Sequence, residues 1–193
     1  MDIRLPKREA DVIDSGFWKD KYPEGIPSEI DTGQYRSILD VLDYAARKYA
    51  DKPAFTNLGK SITYAELHQL SGQFCSYLQN HTSLRPGDRI AIMLPNLLQF
   101  PVAVYGALRA GLIVVNTNPL YTEREMEHQF SDSGAKGLVV LSNMANMAEK
   151  VVPKTCIENV VITDVGDMLP VPKRQIVNAV VKHVKKMVPE YSV

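Results

Sequence analysis

Apolar positions from Ser37 onward change rhythm repeatedly, and each change marks an element. Ile38, Leu39, Leu42, Ala45, Ala46 and Tyr49 recur at helical spacing behind Ser37, a candidate N-cap. Two short apolar runs around Asn57-Leu58-Gly59-Lys60 predict a β-hairpin. Thr63 and Glu66 then have the spacing of a capping box, in which hydroxyl and carboxylate each accept the other residue's backbone N–H. Leu67, Leu70, Phe74, Tyr77 and Leu78 follow as one apolar stripe, so a helix is expected. Arg85-Pro86-Gly87-Asp88 places Pro and Gly as a type II turn requires, ahead of a buried strand from Arg89 to Leu94.

The alternation continues to about Asp164. Asn96 is a candidate cap for a helix reaching about Arg109, with Pro101 expected to kink it or delay its start, and Gly111 as its terminating glycine. Leu112 to Asn118 reads as a strand, and Thr122 with Glu125 repeats the capping box, Tyr121 and Met126 being placed for a hydrophobic staple. That helix should end near Ser133-Gly134. Gly137 to Ser142 is a strand, a weaker helix covers about Asn146 to Lys154, and Asn159 to Asp164 is the last strand. Strands and helices in regular alternation with short connections predict an α/β fold, a parallel sheet flanked by helices on both faces.

The ends of the chain differ from this middle. Residues 1–36 carry Gly16, Gly25 and Gly33 with little periodicity and read as an irregular N-terminal arm. Residues 37–170 form the α/β subdomain, and residues 171–193 a basic amphipathic helix and tail. Within the tail, Ile176, Val177, Val180, Val181, Val184, Met187 and Val188 share one arc of a helix over about Lys173 to Val188, with Lys182, Lys185 and Lys186 opposite. Packing of that valine face on the sheet is expected in preference to insertion in a membrane, because the face has no Trp, Phe or Leu.

Composition narrows the function classes. With 45% apolar residues the 193-residue chain can fill a core. Lys plus Arg and Asp plus Glu balance at 22 each, which argues against a general nucleic-acid binder. Cys75 and Cys156 stand apart and outside any CxxC pattern, so both are expected as small buried thiols and not as a disulfide or a zinc site. No apolar run is long enough to cross a bilayer and the charged N-terminus has no secretory pattern, so the expected compartment is the cytoplasm.

Few residues offer chemistry. Gly106 and Gly111 have the first spacing of a phosphate loop, but Leu112 and Ile113 occupy the Lys and Ser/Thr positions, so helix packing and capping explain them better. His128 and Asp132 resemble the HxxxD of CoA-dependent acyltransferases, yet the capping box sets both on a helix as an i, i+4 polar pair. The turns at strand ends, Pro95-Asn96 and Asn118-Pro119, lie where open α/β sheets bind ligands, although plain capping at the first and an Asn-Pro turn at the second are the favoured explanations from the residues alone.

Several segments together resemble the opening motifs of adenylate-forming (ANL superfamily) acyl-CoA ligases: Ser61 to Leu67, Gly87 to Asn96 and Leu108 to Thr122. Tyr22 to Ile30, Glu125 to Gly134 and the tail from Val177 to Tyr191 are similar, more narrowly, to bacterial long-chain fatty acid–CoA ligases. The resemblance implies the first subdomain of the AMP-binding domain and, for the whole enzyme, ATP, Mg2+, CoA and a long-chain fatty acid. It implies two steps: acyl-adenylate formation with loss of pyrophosphate, then displacement of AMP by the CoA thiol.

The family's phosphate loop ending in Pro-Lys, its acidic ribose-binding segment and its mobile-domain lysine have no counterpart in these 193 residues. The chain alone is therefore expected to be inactive, with no catalytic residue, no metal ligand and no tightly bound cofactor. By the same resemblance Asn118 and Pro119 fall in the vicinity of the CoA nucleotide. Peripheral contact with the inner face of a membrane through residues 173–188 and self-association of exposed apolar surface complete the expected partners. The rival readings are a non-enzymatic α/β module that binds a membrane or a protein, and a ligase for a medium-chain or aryl acid.

Overall fold

The computed structural model describes residues 19–192, which fall into two compact units divided after Ser37. In the first, a 3-10 turn at Lys19–Lys21 is followed by loops without regular structure. Lys19 pairs with Glu29 at 2.6 Å, and that hydrogen bond holds the Glu29 carboxyl below its ordinary range.

The second unit opens with α1 (Ile38–Lys48), the strands β1 (Pro53–Asn57) and β2 (Lys60–Thr63), and α2 (Tyr64–His81). β1 and β2 pair antiparallel with Asn57 opposite Lys60, leaving the two-residue turn Leu58-Gly59 with φ of 49° and 74°. Both central residues are left-handed, which is the type I′ geometry that matches strand twist. At the start of α2 the Glu66 N–H donates to Thr63 Oγ1 at 3.1 Å, and the Thr63 N–H to Glu66 Oε2 at 2.8 Å. The capping box forms as the sequence requires.

β3 (Arg89–Met93), α3 (Gln99–Arg109), β4 (Ile113–Asn116), α4 (Glu123–Ser133), β5 (Gly137–Leu141), α5 (Ala145–Val151) and β6 (Asn159–Thr163) make the α/β layer. The sheet is parallel throughout, in the order β4-β3-β5-β6. Side chains alternate across it. Ile90, Ile92, Val139 and Leu141 face Leu78 of α2 and Ala103 and Ala107 of α3, whereas Ala91, Met93, Leu138 and Val140 face Met126 and Phe130 of α4 and Ala148 and Val151 of α5. β5 is buried at all five positions, so its continuous apolar run reflects cover on both faces. Each large aliphatic side chain buried here contributes about 1.5–3 kcal/mol.

A smaller cluster of Leu42, Ile62, Leu67 and Leu98 ties α1 and the hairpin to the layer. Asp43 of α1 reinforces it, accepting from Arg109 at 3.0 Å and lying 3.2 Å from His68 Nε2.

Four expectations change, the first being that Cys156, expected as a buried thiol, is exposed, while Cys75 is half-buried. α3 starts at Gln99 with no side-chain cap, so Asn96 is not its N-cap; Pro101 sits in the first turn, where a missing N–H costs nothing, and the start is delayed. The weak helix is split: a 3-10 turn (Ser142–Met144), α5, and a second 3-10 turn (Val152–Lys154), because Pro153 cannot donate to a continuing α-ladder. The tail helix is α6 (Lys173–Ala179) running into a π-turn at Val180–Val184. Its valine face does not pack as expected. Only Val177, Val181 and Val188 are half-buried, while Ile176 and Val184 are 58% and 74% exposed.

Candidate functional site

The strand order creates one preferred place for a ligand. β3 passes to α3 on one face and β5 passes to α5 on the other, so the chain parts above the carboxyl ends of these neighbouring strands. Such a switch point is where open α/β sheets hold ligands. The residues arriving there are Leu94, Pro95 and Asn96 after β3, and Ser142 and Asn143 after β5.

Ser142 is 1% exposed and its Oγ has no hydrogen-bond partner among the described residues. Asn143 donates from Nδ2 to the Met187 carbonyl at 3.0 Å, but its buried Oδ1 is likewise without a partner. Buried polar atoms left unmatched cost about 1–3 kcal/mol each. Two of the four such atoms among the described residues lie at the switch point. Sequence reasoning passed over both residues. The available signal was a hydroxyl and an amide placed directly after an entirely apolar strand.

Asn118 and Pro119 follow β4, on the far side of β3 from Ser142, about 10 Å away at normal strand spacing. The Asn118 Oδ1 accepts the Leu120 N–H at 3.0 Å and its carbonyl accepts the Tyr121 N–H at 3.1 Å, closing the turn into α4. The neighbouring Thr117 is buried, its N–H bonded to the Ile92 carbonyl at 3.1 Å. Pro95-Asn96 stands between, with the Asn96 carbonyl accepting from Asn57 Nδ2 at 3.0 Å.

Helix α4 does not offer a free anion site beside Asn118. Thr122 Oγ1 accepts the Glu125 N–H, and Glu125 Oε2 accepts the Thr122 N–H at 2.8 Å. Bonding first to that N–H and then to the Thr122 hydroxyl lowers the Glu125 pKa, so a charge already sits on the positive end of the helix. His128 and Asp132 are both exposed on α4, as a surface pair. Gly106 lies inside α3 against Phe74 and the Ser71 carbonyl, and Gly111 ends the helix at φ 76°. Neither cradles a phosphate. Among the described residues no cluster of three or more His, Cys, Asp or Glu can hold a metal ion.

β6 is an edge strand, and an apolar groove runs along each of its faces. One, about 210 Å³, is lined by Ala145, Ala148, Val152, Val160 and Ile162; the other, about 240 Å³, by Phe74, Val102, Val139, Val161 and Met168.

A family profile described as AMP-binding enzyme matches residues 42–190, covering the hairpin, the whole α/β layer and the tail helix. The chain belongs to the AMP-binding enzyme family. The long-chain-fatty-acid–CoA ligase of Salmonella typhimurium is 49% identical over 174 residues, which is 90% of this chain and 31% of that protein. The ligase of the same name from Yersinia pestis is 51% identical over the same share of each. This chain thus spans about a third of the length of the curated relatives it matches.

Solved structures agree on the architecture. A long-chain-fatty-acid-CoA ligase from Archaeoglobus fulgidus superposes with a TM-score of 0.63 at 27% identity, over 81% of this chain and 32% of that one. The anthranilate CoA ligase AuaEII, in complex with anthranoyl-AMP, also gives 0.63, at 20% identity, over 67% of this chain and 25% of that one. At that identity the likeness concerns the fold.

Proposed function

We propose that this AMP-binding chain is the opening α/β subdomain of a long-chain fatty acid–CoA ligase. The observation that carries the reading is identity of 49–51% to ligases of that name across nine-tenths of the chain. In the whole protein a fatty carboxylate oxygen would bond to the α-phosphorus of ATP as pyrophosphate leaves, giving acyl-adenylate. The CoA sulfur would then bond to the acyl carbon, and AMP would leave with the former carboxylate oxygen. Mg2+ would accompany ATP in that chemistry; among the described residues no group of three or more His, Cys, Asp or Glu stands together to hold a metal ion.

The role of this portion is to shape one wall of the site. Asn118 and Pro119 are proposed to lie near the CoA nucleotide, with the Asn118 turn setting the backbone a ligand would meet. The subdomain alone contributes no catalytic residue. Peripheral contact with the inner face of a membrane through residues 173–188, and self-association through the grooves beside β6, belong to the same reading.

A chimera tests it. Residues 1–193 joined to the remaining two-thirds of the Salmonella ligase are expected to form palmitoyl-CoA within about tenfold of the relative's rate, since volume-conserving core changes are well tolerated. Residues 1–193 alone should show no palmitate-dependent ATP–pyrophosphate exchange. A folded chimera that adenylates aryl or medium-chain acids in preference to palmitate would reassign the substrate. Exchange by the subdomain alone would overturn the placement of the phosphate site outside it.

A further inference from the structure

The tail helix ends at Lys185, and the chain beyond it turns back over the layer. Lys186 takes a left-handed φ of 51°, and the Met187 N–H returns to the Val181 carbonyl at 3.0 Å, which closes the turn. Residues 187–192 follow without regular structure, alongside the 3-10 turn Ser142–Met144 and α5. Three side chains at intervals of three residues hold them there. Asn143 Nδ2 donates to the Met187 carbonyl and Asn146 Nδ2 to the Glu190 carbonyl, each at 3.0 Å. Glu149 Oε1 accepts the Ser192 N–H at 3.3 Å and the Ser192 hydroxyl as well. Each of the three ties thus engages a main-chain atom, so the grip depends on the path of the run and hardly on its side chains.

Little else holds this run. Val188 and Tyr191 are half-buried, whereas Met187, Pro189, Glu190 and Ser192 are exposed, and the three tying hydrogen bonds are themselves open to solvent. The preceding helix has its own anchor. Asn178 accepts the Gly166 N–H at 2.7 Å and donates to Asp167 at 3.2 Å, and Arg174 pairs with the same carboxylate at 3.3 Å. A segment with few apolar contacts and solvent-exposed hydrogen bonds opens locally while the rest of the domain stays folded. Residues 187–192 can therefore lift while the helix before them stays seated.

Asn143 gives that opening a consequence. It follows β5 at the switch point, beside the buried Ser142 hydroxyl, and its own Oδ1 is without a partner among the described residues. From the three ties and this position we propose that residues 187–192 are a strap that closes and opens over the carboxyl end of β5 and controls access to Asn143. In the closed state an Asn143 amide hydrogen is committed to the Met187 carbonyl. In the open state the whole amide is free to turn toward a ligand at the switch point. A ligand that binds the open state more tightly draws the strap open, and the closed strap weakens that ligand by the same factor. The strap belongs to this fold, whatever acid the whole protein activates.

A glutamate-specific protease, with mass spectrometry as the readout, tests the strap on the 193-residue chain. The bond after Glu190 contains the carbonyl that Asn146 holds, so it is cut from the open state. Wild-type chain should be cut there more slowly than after Glu24, an exposed glutamate of the first unit, yet well ahead of unfolding of the layer followed by circular dichroism. Asn143→Ala, Asn146→Ala and Glu149→Ala should each speed the cut after Glu190 roughly tenfold, leaving that after Glu24 unchanged. Glu149→Gln keeps the accepting oxygen and should be cut like the wild type, which separates the tie from any loss of folding. A wild-type rate equal to that after Glu24 would mean that no strap is closed in solution. A rate no faster than unfolding of the layer would mean that it does not open by itself. Either result, or alanine variants cut no faster than the wild type, would overturn the inference.

Discussion

Leu58 shows how one side chain can work against a well-formed turn. Its φ of 49° is in the left-handed region, where a leucine Cβ crowds the backbone and Asn or Gly is favoured. Leu58→Asn is expected to stabilise the domain by about 1 kcal/mol and raise Tm by about 2–4 °C, read by thermal denaturation. Asp88 is a second test at this scale. Its hydrogen bond from Lys136 at 2.8 Å, then that from the Arg85 N–H, lowers its pKa below the usual carboxylate range. The folded state thus stays ionised where the unfolded chain takes up a proton. Its contribution is present above the ordinary Asp value and is lost as pH falls through the lowered one. Asp88→Asn should flatten the acid limb of a stability–pH curve measured by urea denaturation, with the loss of stability largest at neutral pH and fading as the pH falls. The thiols should also differ. Burial raises the Cys75 pKa against a weaker opposing effect of Arg109, and Cys156 is exposed. Alkylation followed by mass spectrometry should label Cys156 first.

At the level of helices and strands, fit decides more than propensity. A Cβ on Gly106 would stand 2.7 Å from Phe74 Cδ1 and 3.0 Å from the Ser71 carbonyl, so α2 and α3 meet through that glycine. Gly106→Ala, which would favour an isolated helix, is expected to destabilise this one by about 1–3 kcal/mol in chemical denaturation. Thr122→Ala should cost about 1 kcal/mol, because the Glu125 N–H loses its acceptor. The strands, both capping boxes and the glycine ends of α3 and α4 were legible in the sequence, since each depends on neighbours a few residues away. The exposure of the tail helix was not. Its amphipathic pattern specifies a face but says nothing of what meets it, and the side-chain ties from Asn143, Asn146 and Asn178 come from elsewhere in the fold. Ser142 escaped notice for the same reason, because its lack of a partner depends on strands brought alongside by topology.

Taken whole, the molecule has a well-covered centre and a less finished rim. The inner strands β3 and β5 are buried, whereas every residue of edge strand β6 is half-buried and each of its faces borders an apolar groove. Concentration-dependent association by analytical ultracentrifugation is therefore expected. A monomer at all concentrations would show that the grooves attract nothing in water. The strand order also has a consequence during synthesis. β3 is made first yet sits between β4 and β5, and its partner in β5 lies about twice as far along the chain as its partner in β4. As the polypeptide leaves the ribosome, β3 and β4 can zip together while the other flank of β3 waits, uncovered, for the stretch from Gly137 to emerge. Nascent chains stalled in that interval should be the species that chaperones hold longest.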